Sequence, residues 1–136
     1  MAHCSEQSTF LRRSLQANGA FSLATGLAMV IACKPLSNLI GMSHPWVLAG
    51  IGVSLVAFAA GLFVNSRRVS VDEREAMTAI ILDFGWVVGS VVLISIGVLN
   101  ATGNWTVAIV ADLVFVFAIL QTVGLRRVRR AAGACK

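Results

Sequence analysis

Tyrosine is absent from this 136-residue chain, proline occurs twice, and cysteine occurs three times. Charged residues make up only 12% of the sequence, whereas they make up about 25% of an ordinary soluble domain. A soluble fold this small could not bury so much apolar surface. The cysteines form no C-x-x-C pair, which argues against a four-helix thiol oxidoreductase of the quinone-coupled type. The scarcity of charge and the 57% of hydrophobic residues therefore exclude a soluble domain and favour a membrane protein.

Long apolar runs fill most of the chain, at residues 15–33, 46–64, 76–99 and 105–125. A helix needs about 20 residues to cross about 30 Å of hydrocarbon. Backbone groups in lipid must bond within a helix or a closed barrel, and barrel strands are shorter and alternate in polarity. The sequence therefore predicts an all-α membrane protein, a single transmembrane domain over 1–136 built as a four-transmembrane-helix bundle. Within the first connector, helical spacing of apolar residues after Pro35 predicts a short interfacial helix.

Basic residues predict the orientation of the chain. All lysines and arginines except Lys34 lie before the first run, between the second and third, or after the fourth. The positive-inside rule therefore predicts cytoplasmic tails at 1–14 and 126–136 and a multi-pass protein of the bacterial inner (plasma) membrane. Trp46 and Trp105 open the second and fourth runs and are predicted interface anchors. The net charge of +5 is then a topology signal, and no nucleic-acid partner is expected.

The second and fourth runs resemble each other. An alignment of the two runs that pairs Trp46 with Trp105 also pairs Phe58 with Phe117 and Arg67 with Arg126. Two tandem helical hairpins related by a pseudo-twofold axis would produce this pattern. The alternative is that unrelated membrane helices commonly share tryptophan at one end and arginine at the other.

Two carboxyls interrupt the apolar runs, Asp83 in the third and Asp112 in the fourth. A charged aspartate near the middle of a membrane helix costs about 2.5 to 3.5 kcal/mol on insertion scales. One interpretation is a proton- or cation-coupled binding site formed by both. The other is a neutral carboxyl that hydrogen-bonds to another helix. The candidate partners are Asn18, Thr25, Ser90 and Gln121.

Small residues mark candidate packing faces. Gly85 and Gly89 form a small-xxx-small step in the third run, and such faces let helix backbones approach closely. Packing inside the bundle is the expected use of this pair, and a contact between two copies is the alternative.

Catalytic, cofactor and metal sites are not expected. Ser, His and Asp do not assemble at one membrane depth, and His3 and His44 fall on opposite sides. The sequence around Cys33 is similar to a lipoprotein lipobox, although three spanning runs follow it.

Four segments carry a resemblance to a known group: Phe10-Leu-Arg-Arg, Leu23-Ala-Thr-Gly-Leu, Asp83-Phe-Gly-Trp-Val-Val-Gly-Ser and Leu120-Gln-Thr-Val-Gly-Leu-Arg-Arg. The chain resembles a family of small, uncharacterised proteobacterial four-helix integral membrane proteins. The resemblance implies bacterial inner-membrane placement and offers no catalytic residues to carry over. Small multidrug exporters have a similar size, but they carry an essential glutamate in the first helix, and that run has no acid here.

The sequence thus predicts a non-enzymatic protein that acts through helix packing with itself, with lipid or with a larger membrane complex. The alternative is a small proton-coupled transporter, expected to be dimeric, that uses Asp83 and Asp112.

Overall fold

The structure, a computed structural model, describes residues 2–68 and 71–134. The described part is all-helical. Its helices are α1 (Ala2–Ile31), α2 (Cys33–Ile40), α3 (Pro45–Arg67), α4 (Glu73–Ser95) and α5 (Ala101–Ala134). All but the short α2 are long and apolar enough to cross a membrane, and they pack as a bundle. The predicted four-helix membrane fold is confirmed.

Several helix ends differ from the limits of the apolar runs. The helix α4 ends at Ser95 rather than near residue 99, because the chain turns at Gly97 with a φ of 67°. The helix α1 begins at Ala2, well before its apolar run, and α5 continues past its run as far as Ala134. Hydropathy identifies only the part of a helix that can lie in the hydrocarbon. The helix itself can extend into water, because each added residue forms a further backbone hydrogen bond. Cys135 and Lys136 lie outside the described residues.

The helices pack in the order α3, α1, α5, α4. Consecutive spans form two hairpins, because α3 packs against α1 and α5 packs against α4. The seams between the hairpins are unequal: α1 packs closely on α5, whereas α3 and α4 meet at few positions. The tandem-hairpin arrangement is therefore present, but one seam is much more open than the other.

The two ends of the bundle differ in chemistry. At one end Asn100 joins two connectors, because its backbone N–H donates to Ile40 O at 3.1 Å and its Nδ2 donates to Leu39 O at 2.9 Å. Trp46 and Trp105 lie at this end, 70% and 73% exposed. We call it the tryptophan end.

The other end, which we call the arginine end, is joined by polar contacts between helices. Arg12 on α1 donates to Ser66 O on α3 at 2.9 Å, and Arg129 on α5 pairs with Glu73 on α4 at 2.9 Å. The larger apolar cluster lies between this end and the middle of the bundle. Its buried members are Leu11, Leu15, Leu62, Ala76, Ala79, Ile80 and Leu125.

The helices α1 and α3 approach closely at a glycine pair. A Cβ atom built on Gly26 of α1 would lie 2.7 Å from Gly52 O, and one built on Gly52 of α3 would lie 2.7 Å from Gly26 O. No real side chain tolerates that distance from a backbone oxygen. The two glycines therefore set the spacing of the first hairpin.

Candidate functional site

Asp83 lies on the inner face of α4 and is 4% exposed. Asn18 on α1 donates its Nδ2 to Asp83 Oδ2 at 2.7 Å, and Gln121 on α5 donates its Nε2 to the same oxygen at 3.1 Å. Both amides are 0% exposed. One carboxyl oxygen therefore links three of the spanning helices, and we call Asn18, Asp83 and Gln121 the polar cluster.

The polar cluster extends along α1. Ser22 donates its hydroxyl to Asn18 Oδ1 at 3.3 Å, which orients the amide so that its nitrogen faces Asp83. Of the other candidate partners, Ser90 donates to Trp86 O of its own helix at 2.8 Å. Thr25 makes no hydrogen bond in the part of the chain that the structure describes. Ser22 was not foreseen from the sequence, although its spacing of one helical turn from Asn18 is the signal that could have found it.

The polar cluster serves mainly to hold helices together through hydrogen bonds. Amide and carboxyl groups that bond across helices strengthen bundles, because the alternative is an unpaired polar group in hydrocarbon. The acceptor Gln121 Oε1 and the donor Trp86 Nε1 are buried without a partner among the described residues. Protonation of the carboxyl would give Asp83 a donor of its own in addition to the two bonds that it accepts.

Asp112 does not join the polar cluster. It lies on the outward face of α5, where it is exposed. Within residues 2–68 and 71–134 it has no hydrogen bond or ion pair. Its surface neighbours one turn away are apolar, and three of them, Ile109, Phe115 and Val116, are themselves exposed. The sequence predicted one site with two carboxyls, whereas the structure places one carboxyl inside the bundle and one outside it.

Gly85 and Gly89 also face outward. Both are exposed, and a Cβ built on either would meet nothing within 4 Å. The prediction that this pair packs inside the bundle is wrong, because the close contact belongs to Gly26 and Gly52 instead. The alternative use, a contact between two copies, stays a prediction.

The remaining candidate residues lie near the tryptophan end. The ring centroid of His44 is 5.9 Å from that of Trp46, so both aromatic groups lie together at the start of α3. Cys33 is a half-buried free thiol where α1 meets α2. Among the described residues, no group of three or more His, Cys, Asp or Glu side chains is placed to hold a metal ion.

Comparison of the chain with family models, with curated proteins and with solved structures finds no match.

Proposed function

We propose that this protein is a non-enzymatic membrane protein that works through lateral contacts between its helices and other membrane helices. The other helices belong to copies of itself or to subunits of a larger membrane complex. We place it in a bacterial inner membrane with both termini in the cytoplasm.

The observation that carries this proposal is the outward position of Asp112. At 1.5 Å per residue it lies about 10 Å from the level of Trp105 and about 20 Å from that of Arg126, within the hydrocarbon. An aspartate there is costly to expose to lipid, and intramembrane acids ordinarily face a bundle interior or a partner. A bundle that turns such a group outward fits a protein whose outer surface is covered by further helices.

The open glycines on the outer faces support the same function. Gly85 and Gly89 on α4, and Gly50 and Gly61 on α3, have no atom within 4 Å of a built Cβ. Small residues on membrane helices are the positions at which another backbone can come close. The first hairpin uses one such contact, at Gly26 and Gly52, whereas the four outward glycines make no close contact within the chain.

The transporter alternative needs both carboxyls on one pathway. Asp83 is enclosed by two amides, whereas Asp112 points away from the bundle. Each carboxyl therefore has a separate environment, and lateral association accounts for the second one better than coupled transport does.

The test is the size of the native assembly. Full-length protein extracted from its own membrane in mild detergent should migrate on a blue-native gel as a discrete species larger than one chain. Asp112→Leu should shift most of the protein to the size of a single chain. Ser54→Ala is the matched control, because Ser54 is an exposed polar residue at a similar depth on α3, and it should leave the assembly intact.

Two results would contradict the proposal. One is a wild-type protein that migrates only as a single chain, and the other is an assembly that Asp112→Leu leaves unchanged. If Asp112→Asn abolished proton-driven flux in reconstituted vesicles while the assembly stayed intact, the transporter alternative would replace the proposal.

A further inference from the structure

The surface around Asp112 has a simple composition. At helical spacing along α5, the exposed residues Trp105, Ile109, Asp112, Val116 and Ile119 form one outward stripe, which we call the Asp112 face. Its ends match the two membrane boundaries, with Trp105 at the tryptophan end and exposed Arg126 at the arginine end. Apart from the indole N–H of Trp105 at its end, the one polar group of the stripe is the carboxyl of Asp112.

The lipid itself cannot satisfy this carboxyl. Long side chains such as lysine and arginine reach the membrane surface from a buried position. Aspartate has one methylene group, and the nearer boundary is about 10 Å away along the helix. A headgroup amine or water at that boundary is therefore out of its reach, and the group that covers Asp112 must lie at the same depth.

The chain has no cation to offer at that depth. The sequence contains no lysine, arginine or histidine at 14–33, 45–66 or 75–125. The basic residues that bound these ranges, such as Arg13 and Lys34, lie at the two ends of the bundle. A second copy in the same orientation would bring only another Asp112 to this level if the two stripes met. Two like carboxyls at close range disfavour each other's charge.

Charge complementarity therefore points to a different protein. We propose that the Asp112 face binds a transmembrane helix of another protein that carries a lysine or arginine at the depth of Asp112. An acid and a base that pair within the membrane neutralise each other, and such pairing is the usual setting of intramembrane charges. This inference rests on the proposed function and names the partner for it.

The geometry of the stripe fits a helix as the occupant. Ile109, Val116 and Ile119 present bulky apolar side chains above and below Asp112, and the stripe runs the length of the span. A partner helix would pack on these side chains while its cation meets the carboxyl. Because Asp112 has no partner among the described residues, pairing would break no existing contact.

The test uses a synthetic helix as a defined probe. Full-length protein is reconstituted in phosphatidylcholine vesicles with a donor dye on Gly133→Cys in a background without native cysteines. Acceptor-labelled leucine–alanine transmembrane peptides carry one lysine at the depth of Asp112, one lysine about two turns nearer the surface, or leucine only. Energy transfer reports binding, and the peptide with lysine at the depth of Asp112 should bind at least about tenfold more tightly than the other two.

Two variants of the protein separate the face from the charge. Asp112→Leu should bind all three peptides equally weakly. A second substitution in the Asp112→Leu protein, Val53→Asp, places an acid on the exposed face of α3. This acid is as far from Trp46 along the helix as Asp112 is from Trp105. This displaced acid should bind the lysine peptide several-fold more weakly than Asp112 does, since it lacks the stripe of α5.

Three outcomes would overturn the inference. The first is equal binding of the lysine and leucine peptides by the wild-type protein. The second is full binding by the Val53→Asp variant, which would show that any exposed acid suffices. The third is a native assembly that depends on Asp112 but contains only copies of this chain; that result would keep the proposed function and replace the partner with a second copy.

Discussion

At the scale of single residues, the chain uses one residue type in two opposite settings. Asp83 is enclosed and accepts hydrogen bonds from Asn18 and Gln121, whereas Asp112 is exposed on an apolar surface. The difference comes from the helix face on which each residue lies. The inner carboxyl is a joint between helices, and the outer one is a feature of the surface.

Replacement of Asp83 should separate the contribution of its side-chain shape to stability from the contribution of its hydrogen bonds. Asp83→Leu leaves the donors of Asn18 and Gln121 buried without an acceptor, which should lower the free energy of unfolding by about 1 to 3 kcal/mol. Asp83→Asn keeps an acceptor oxygen and adds an N–H that could bond to the unpaired Gln121 Oε1, so we expect a loss of less than about 1 kcal/mol. Unfolding in mixed micelles with increasing sodium dodecyl sulfate measures both.

The control for these variants is Ser54→Ala, because the Ser54 hydroxyl bonds only to Gly50 O of its own helix at 3.0 Å. It should unfold with the wild-type midpoint. If Asp83→Leu were as stable as the wild-type protein, the polar cluster would not join the three helices energetically.

At the scale of helices, the first hairpin is held by a backbone contact in addition to the packing of large side chains such as Leu15 and Leu62. Gly26 and Gly52 bring α1 and α3 together at a point where a built Cβ would lie 2.7 Å from an oxygen of the opposite backbone. Lipid tails are as apolar as leucine, so burial of apolar surface gives little drive for helices to associate within a membrane. Close van der Waals packing and interhelical hydrogen bonds then carry the association, and this glycine pair supplies the first of these.

A single methyl group should therefore disturb α3 at one glycine and not at another. Gly52→Ala forces the new Cβ against Gly26 O and should destabilise the fold by about 1 to 3 kcal/mol. Gly61→Ala, on the same helix, meets nothing within 4 Å. It should be neutral or should stabilise the helix by up to about 1 kcal/mol. Comparison of their unfolding midpoints in the same detergent measures the difference, and equal midpoints would contradict the close contact.

The sequence predicted the helices better than it predicted their faces. Runs of about 20 apolar residues determine spans because lipid leaves the backbone few other structures. Which face of a span turns inward is harder to predict, because both faces are apolar and a hydrophobic pattern hardly distinguishes protein from lipid. For this reason Gly85 and Gly89 were expected inside and lie outside, while the contact of Gly26 with Gly52 was missed.

The polar cluster was partly predictable for a related reason. Asn18 and Gln121 were candidates because polar groups in a membrane span need partners, and few other polar residues were present at that depth. Nothing in the sequence distinguished Asp83 from Asp112, since each interrupts an apolar run. Only the rotation of α4 and α5 about their axes, set by the packing of α5 against α1 and of α4 against α5, places one carboxyl inside and the other outside.

At the scale of the whole molecule, the chain separates its charges along the membrane normal. The basic residues of α1, α5 and the connector between α3 and α4 gather at the arginine end. Some of them pair with acids of α4, as Arg129 does with Glu73 and Arg68 with Glu75. The tryptophan end carries Lys34 and His44 as its basic side chains among the described residues. Such an asymmetry is the pattern that sets orientation during insertion.

The proposed orientation predicts which end of the molecule can be labelled from outside the cell. In a background without native cysteines, Ser43→Cys lies exposed in the connector at the tryptophan end, and Gly133→Cys lies exposed near the end of α5. A membrane-impermeant maleimide added to intact spheroplasts should label Ser43→Cys and should leave Gly133→Cys unlabelled until the membrane is permeabilised. Labelling of Gly133→Cys in intact spheroplasts would show that the arginine end faces outward, against the positive-inside rule. Equal labelling of both positions would instead show a mixture of orientations. Either result would contradict the proposed topology without affecting the fold.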